Sequence, residues 1–360
     1  MNQRCDVAVI GGGPAGTSAA ITAARLGFKV LLLEAGSFPR HKVCGEFVSG
    51  EALSILADLI PQEQITHAPR IGTARIFLDH ARATLPVSPA AASISRYNLD
   101  VALWNSAASA GCVVRNRNRV KRVEKSQNGF AINLDSEEII ARAVINASGR
   151  WSGLSTPGPV QEQWIGLKGH FWETHWSEFC DLYFFEGGYC GVQPIGNGMV
   201  NAAAMVRPGV AKTLSTVFAL NRDLYHRSRS WAPVGDPVST APLFFRAPTT
   251  SENGMLLAGD AAAFLDPFAG DGISIALHSG SLAAKALAPF LRSECTVQDA
   301  ALQYDRAYRR LIQPALVNAS RLRTLQSLPS TMRAAAIACL NIPFLARAAV
   351  KSTRVRAGHP

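Results

Sequence analysis

The chain lacks any C-x-x-C pair, any histidine cluster, any internal repeat and any low-complexity linker. Each absence removes a class of function. Seven cysteines, at 5, 44, 112, 180, 190, 295 and 339, are odd in number and widely scattered, which argues against both a disulfide framework and a zinc site. Most are expected to be buried, inert thiols. His170 and His175 in "HFWETH" lie five apart in an expected strand and would point to opposite faces, so no metal site is expected. Charged residues make up only 17% of the 360 and hydrophobic ones 48%, an ordinary globular composition that can bury one large core or two packed ones. Met1 runs through "NQRCD" into the apolar "VAVI" without the charged and apolar regions of a secretion signal, so a cytoplasmic location is expected.

Negative charge is scarce in one place above all. From Ala300 onward there are ten Lys/Arg against Asp305 alone, so this region carries +9 of the net +10 and the rest of the chain is nearly neutral. Its apolar run "AAAIACLNIPFLA" (334–346) spans 13 residues and is interrupted by Asn341 and Pro343, short of the roughly 20 needed to cross a bilayer. Flanked by Arg333, Arg347 and Lys351, it could lie on an anionic membrane surface, dock on an acidic protein, or fold back on the body with a solvated basic rim. Peripheral contact with the inner face of a membrane is therefore one expectation for this region.

Along the chain, "CDVAVIGGGPAGTSAAITAARLGFKVLLLEAG" reads as strand, glycine turn, alanine-rich helix and buried strand, the first half of a doubly wound sheet. A helix at about 49–59, a hairpin over "RIGTARIFLDHARATLPV", a helix from about Tyr97 to Gly111 and three strands ending in "AVINAS" follow. From Trp164 to Val206 the pattern is nearly all β, and a helical piece covers 210–226. The strand "GMLLAG" then returns to the first sheet and leads to a long helix from Gly272. The expected fold is α/β: a discontinuous Rossmann-like nucleotide-binding domain (1–70, 96–160 and 250–295), an inserted antiparallel β-rich substrate domain (71–95 and 161–249) and a basic helical C-terminal region (296–360). The run "RNRNRVKR" (115–122) is read as one solvated strand face, and without interleaved aromatics it gives no reason to expect nucleic-acid binding.

Gly11, Gly13 and Gly16 fit G-x-G-x-x-G between strand and helix. The first permits the turn, the second clears room for a pyrophosphate over the helix N-terminus, and the third lets helix and strand pack closely. Glu34, ending the next strand, is placed to accept from ribose hydroxyls. This pattern admits FAD or NAD. "LLAGDAAAFLDPFAGDGISIAL" favours the flavin: Asp260 at a strand end can bind a polyol, and the helix from Gly272 turns its positive end toward an electron-rich ring.

The stretches "DVAVIGGGPAGTSAAITAARLGFKVLLLEAGSFPRHKVCGEFVSGEAL" and "GDAAAFLDPFAGDGISIAL" resemble the geranylgeranyl reductase family, within the para-hydroxybenzoate hydroxylase-like FAD oxidoreductases, over roughly residues 4–290. The resemblance implies non-covalent FAD. Gly11, Gly13, Pro14, Ala15 and Gly16 would lie at its pyrophosphate, Glu34 and Ala35 at the adenosine ribose, and Arg96 near the pyrophosphate. Val120 would give backbone to the adenine, Ala147 and Gly149 would pass the adenosine, and Gly259 and Asp260 would meet the ribityl chain. Gly270, Gly272 and Ile273 would flank the isoalloxazine, and "KVCGE" would bring Cys44 and Gly45 against the ring. Lys42 beside Cys44 could lower the thiol pKa, and packing is the alternative role of that cysteine.

The substrate side departs from the family. Prenyl reductases of this group carry Y-x-W-x-F-P and flavin-dependent halogenases G-W-x-W-x-I-P, whereas this chain reads "GYCGVQP". Tyr189 and Pro194 remain, Gly191 and Gln193 replace bulky side chains, and the opened volume counts against a halogenase and against a tightly gripped prenyl chain while admitting a ring or another lipid. Phe184, Phe185, Phe244, Phe245 and Trp172 are candidates for an apolar pocket or, more commonly, core. Cys44, Gly45 and Tyr189 are the candidate catalytic residues, with Glu46 and His278 as further proton-transfer candidates. The expected activity is FAD-dependent double-bond reduction of an apolar or aromatic, lipid-like small molecule. Alternatives are a flavin monooxygenase and an electron-transfer flavoprotein docking through the basic C-terminal surface. No second G-x-G-x-x-G is present, so the electron donor is expected to be transiently bound NAD(P)H or a reduced carrier.

Overall fold

The computed structural model describes residues 3–355 except 79, 128, 151–152, 155–162, 175–176, 241–242, 244, 246, 265–269 and 325–329, and leaves out the side chains of 321–331. The first third of the chain holds β1 (Gln3–Ile10), α1 (Pro14–Arg25), β2 (Val30–Leu33), β3 (Phe47–Val48), α2 (Ala52–Leu59), α3 (Glu63–Thr66), β4 (Arg70–Leu78), β5 (Ala81–Ser93), α4 (Arg96–Ser109) and β6 (Val113–Arg115). The middle is almost entirely extended: β7 (Arg122–Ser126), β8 (Gly129–Asn133), β9 (Glu138–Asn146), β10 (Ile165–Trp172), β11 (Phe179–Phe185), β12 (Gly188–Gly196) and β13 (Met199–Val206). After two short helices, α5 (Leu214–Ala219) and α6 (Arg222–Ser228), come β14 (Ala232–Ser239), β15 (Ser251–Glu252) and β16 (Met255–Leu257). Helices α7 (Gly272–Leu291), α8 (Val297–Leu311), α9 (Gln313–Thr324), α10 (Ser330–Leu340) and α11 (Pro343–Ser352) complete the chain.

Two sheets organise these elements. The first runs β15-β16-β9-β1-β2-β6, with β8 and β7 attached beside β9. β16, β9, β1, β2 and β6 are mutually parallel, and the short apolar strands buried on both faces are what a helix-covered parallel sheet requires. Its helical layer is set by α1 against α7. The contact is so close that a Cβ on Gly280 would lie 2.0 Å from the Ala15 carbonyl oxygen. Ala15, Ala19, Leu277 and Ala284 fill the seam.

The second sheet has the order β14-β10-β13-β12-β11-β4-β5-β3. Its pairs are antiparallel except β11 with β4. Side chains alternate between its faces, and the register aligns them into rows. One row crosses Gly166, Met205, Tyr189, Phe184 and Leu78, and the next crosses Lys168, Ala203, Gly191, Leu182 and Ile76. A third places His170, Asn201 and Gln193 side by side.

Three expectations change here. Of the basic run 115–122, Arg115 ends β6 and Arg122 begins β7, and 116–121 between them is a connection rather than a strand, with Arg117 at φ +54°. Backbone bonds from Arg117 to Gly36 and from Asn118 to Glu34 pull it onto the end of β2 instead of into a ladder. Among the seven cysteines Cys112 and Cys190 are buried as whole residues, Cys5, Cys44 and Cys180 are half-buried with thiols that burial still raises, Cys295 is half-buried and Cys339 is exposed. Trp172 is half exposed at the end of β10 rather than in a pocket, while Phe244 and His175 lie outside the described residues. Asn341 and Pro343 divide the C-terminal run into α10 and α11, bent by 98°, and among the described residues no single helix is long and apolar enough to cross a membrane. Both helices pack on β5, with Ile337 and Ala346 entering a core shared with Ile76, Leu85, Phe184 and Tyr189.

Candidate active site

Between the two sheets lies a cavity of about 500 Å³. One side is built by turns of the first sheet. Gly11 adopts φ +108°, and a Cβ there would lie 2.3 Å from the Ala147 carbonyl oxygen, so the turn between β1 and α1 admits only glycine at this point. Gly13 caps α1 with Pro14 at its first position. A Cβ on Gly13 would face the Arg96 guanidinium at 3.8 Å. A bare backbone, a helix N-terminus and an arginine thus converge on one spot, a combination suited to a pyrophosphate.

Glu34 directly follows β2 and is held rigidly. Its Oε2 accepts from the Gly12 amide at 2.8 Å, and its Oε1 accepts from the Gly36 amide at 2.7 Å and from Arg40 Nη1 at 2.9 Å. Burial alone would raise its pKa, but the Arg40 hydrogen bond and the two amides outweigh that and lower it to about 2. Arg40 Nε and Nη2 are buried with no protein partner, as is Arg150 Nη1, whose guanidinium meets Asp260 at 3.3 Å and lies over the Phe264 ring. Such orphaned donors, lining or bordering the cavity, suit an oxygen-rich ligand.

Across the cavity, Gly45, Gly149 and Gly272 leave open space: a Cβ built on any of them would meet nothing within 4 Å. Gly272 opens α7, so that helix's free amides face the same space. Asp271 precedes it and binds two distant segments, accepting from Ser49 Oγ at 2.7 Å and the Val355 amide at 2.9 Å and meeting Arg354 at 3.7 Å.

The turn Cys44–Glu46 is pinned from the second sheet by the polar row. Asn201 Nδ2 donates to the carbonyls of Cys44 and Gly45 at 3.1 and 3.0 Å. Glu46, fully buried at φ +60°, accepts from the Arg96 amide at 2.7 Å, Lys168 Nζ at 2.5 Å and His170 Nε2 at 2.8 Å. Burial opposes its ionisation, yet the His170 hydrogen bond and the Lys168 charge win and its pKa is lowered. Gln193 completes the row by donating to Ser93 Oγ at 2.6 Å. Burial pushes the Cys44 thiol up, with Arg96 and the Glu46 amide, 3.3 Å from Sγ, opposing. Lys42 does not exert the lowering expected of it; the cation that faces the sulfur is Arg96, and Lys42 is itself driven toward neutrality by burial and by Arg40.

The remaining wall is largely apolar, with Gln193, Thr240 and Arg333 among its polar members. Alternate residues of the second sheet supply it, including Ile76, Leu78, Leu182, Phe184, Tyr189 and Gly191, and α10 and α11 add Ile337, Leu340, Ala349 and Val350. Of the residues expected from the sequence, Gly11, Gly13, Pro14, Ala15, Glu34, Cys44, Gly45, Arg96, Ala147, Gly149, Gly259, Asp260, Gly270, Gly272, Ile273 and Tyr189 all line this one cavity. Three do not. Gly16 packs beneath it against the Gly11 carbonyl, Ala35 points outward, and Val120 is buried under the first sheet with Ala8, Leu31 and Phe130. His278 lies along α7 away from the lining, with its pKa lowered by burial. Of the aromatic candidates, Phe184 is in the wall; Phe245 instead stacks on Phe264, and Phe185 packs on the other core. The Glu46–Lys168–His170 cluster and Asn201 were not anticipated. Their one sequence signal was Lys168-x-His170, two polar residues on one face of an otherwise apolar strand.

Comparison with known proteins follows the same outline. Residues 6–150 match the family model described as FAD dependent oxidoreductase. A digeranylgeranylglycerophospholipid reductase from Methanothrix thermoacetophila is 28% identical over 332 residues, covering 86% of this chain and 84% of that one. A menaquinone reductase from Mycolicibacterium smegmatis is 30% identical over 317 residues, covering 79% and 76%. The fold is that of a geranylgeranyl bacteriochlorophyll reductase-like protein from Thermoplasma acidophilum, with TM-score 0.81, 22% identity and coverage of 98% and 96%. It is shared with the flavin-dependent brominase Bmp2, with TM-score 0.82, 20% identity and coverage of 98% and 93%.

Proposed function

This chain belongs to the geranylgeranyl reductase family of FAD-dependent oxidoreductases, and from that premise we propose that it saturates a carbon–carbon double bond in an apolar, isoprenoid-like substrate held against the second sheet. The observation that carries the reading is the continuity of one cavity. Its polar side, with Gly13, Glu34, Arg96 and Asp260, fits a dinucleotide, and its other walls are largely apolar and meet the polar side at Cys44–Gly45. The two relatives above are named as reductases, one of a digeranylgeranyl glycerophospholipid and the other of menaquinone.

Saturating the bond requires a hydride at one carbon and a proton at the other. Bound FAD, once reduced by NAD(P)H or a reduced carrier, supplies the hydride. The protein's part is to hold the proton and exclude water. Cys44 is suited to hold the proton, because burial keeps it a thiol while the Arg96 charge and the Glu46 N–H stabilise the thiolate left after the proton departs. The polar row from His170 to Gln193 keeps that thiol in place, since Asn201 and Glu46 fix the backbone on both sides of it. Gly191, in the position where prenyl reductases of the group carry tryptophan, leaves the wall open beside Tyr189.

The test is anaerobic. Enzyme whose flavin has been reduced with dithionite is mixed with a geranylgeranyl lipid or a menaquinone, flavin reoxidation is followed by absorbance, and product is examined by mass spectrometry. Reoxidation with gain of two hydrogens in the isoprenoid chain, kept after any quinol has been reoxidised to quinone, supports the reading. Reoxidation only on admitting oxygen, with one oxygen atom in the product, would replace it with monooxygenation.

A further inference from the structure

The helices that close the cavity have a second face. On α10 and α11, Ile337, Leu340, Ala349 and Val350 point into the cavity wall, while Met332, Ile342 and Phe344 point away from the protein and are 53%, 49% and 71% exposed. Phe344 is the most exposed of the large hydrophobic side chains described. Beside them Arg347 and Lys351 are also exposed, and from Arg306 to the end the sequence contains no acidic residue to offset them. Large apolar side chains in water, Met332 at the start of α10 and Ile342 and Phe344 at the bend, on helices that carry cations and no acid, match the chemistry of a surface that is both anionic and oily. A soluble acidic protein would satisfy the cations and leave Phe344 and Ile342 unexplained.

We propose that α10–α11 seats the protein on a bilayer containing anionic lipid, and that the substrate chain passes from that bilayer between these helices into the cavity they roof. The inference rests on the reading of the substrate as an apolar chain and adds where it comes from. Ile342 and Phe344 would enter the acyl boundary, Arg347 and Lys351 would meet phosphate groups, and Ile337 and Leu340 would continue the apolar path inward.

The experiment uses the full-length holoenzyme and sedimentation with vesicles of phosphatidylcholine, with or without phosphatidylglycerol. The protein is expected to sediment with the phosphatidylglycerol vesicles and to be released by salt. The Ile342→Ser/Phe344→Ser double variant should bind about a hundredfold more weakly, from the apolar area that would no longer be buried, with flavin content unchanged because neither residue lines the cavity. Its turnover of a substrate embedded in vesicles should fall in parallel, while turnover of the same substrate in detergent stays at the level of the unaltered protein. Absence of binding to phosphatidylglycerol vesicles overturns the inference. So does binding that Arg347→Glu/Lys351→Glu abolishes and Ile342→Ser/Phe344→Ser leaves intact, since an acidic protein partner would give that pattern. Failure of flavin reoxidation in detergent would instead count against the reductase reading, and the two failures are separately visible.

Discussion

At the residue scale, Cys44 and Glu46 divide the work of one turn. Cys44 is a thiol at neutral pH because burial outweighs Arg96, so Cys44→Ala should retain its flavin spectrum while losing turnover on the order of 100- to 10,000-fold, the usual worth of a positioned proton donor. Anaerobic single-turnover reoxidation measures this, and unchanged turnover would return Cys44 to a packing role. Glu46, a proton-transfer candidate from sequence, is different: it is fully enclosed, its pKa is lowered, and both carboxylate oxygens are shared by Lys168, His170 and the Arg96 amide, which makes it a positioning group for the turn. Glu46→Gln leaves Lys168 buried beside a neutral group, and a loss of about 3–5 kcal/mol in unfolding free energy is expected by denaturant titration. A loss below about 1 kcal/mol would mean that water or relaxation compensates the lysine.

Elements make a different contribution, through register. The second sheet presents every second side chain to the cavity, so β12 offers Tyr189, Gly191 and Gln193 in succession, with Leu182 opposite Gly191. A Cβ on Gly191 would meet Leu182 at an ordinary 3.5 Å, and the backbone there is not left-handed. Gly191→Trp should therefore fold, fill the wall and narrow the space: turnover of a ring-bearing substrate should fall about tenfold or more while a slender linear chain is largely spared. Equal loss on both substrates would show that Gly191 does not set the shape of the pocket. The same scale shows what could be read in advance. The β1-α1-β2 unit, Glu34 and the helix from Gly272 depend on neighbours close in sequence, and their patterns revealed them. His170, Asn201 and Gln193 act as a unit only because β10, β13 and β12 pair in one particular register, which no local pattern states. The arginine run misled for the converse reason, since its alternation was real but contacts to Gly36 and Glu34 drew it out of the sheet.

Across the whole molecule, two buried carboxylates with depressed pKa values contribute to the response to acid. Glu34 and Glu46 both have folded-state pKa values below their unfolded ones, so each contributes stability that is fully present above about 4.5 and is lost as pH falls toward the folded value, about 2 for Glu34. Melting temperature and flavin retention should be insensitive to these two groups between pH 6 and pH 8 and decline steeply below about pH 4.5. Glu34→Gln should flatten that decline while weakening flavin retention at neutral pH, measured by free-flavin fluorescence in the filtrate. An unaltered acid limb in the variant would assign it to other groups.

Asp271 has a bearing on assembly. One carboxylate, on the residue that precedes α7, gathers Ser49 from the opening segment and the amide of Val355 near the end of the chain. The roof over the apolar chamber is thereby fastened at the mouth of the nucleotide cleft as well as to β5, where Asn341 donates to the Arg82 carbonyl. Prising the terminal helices loose must slacken the cleft's entrance as well, so whatever tightens the grip on the nucleotide also steadies the door through which a lipid would come.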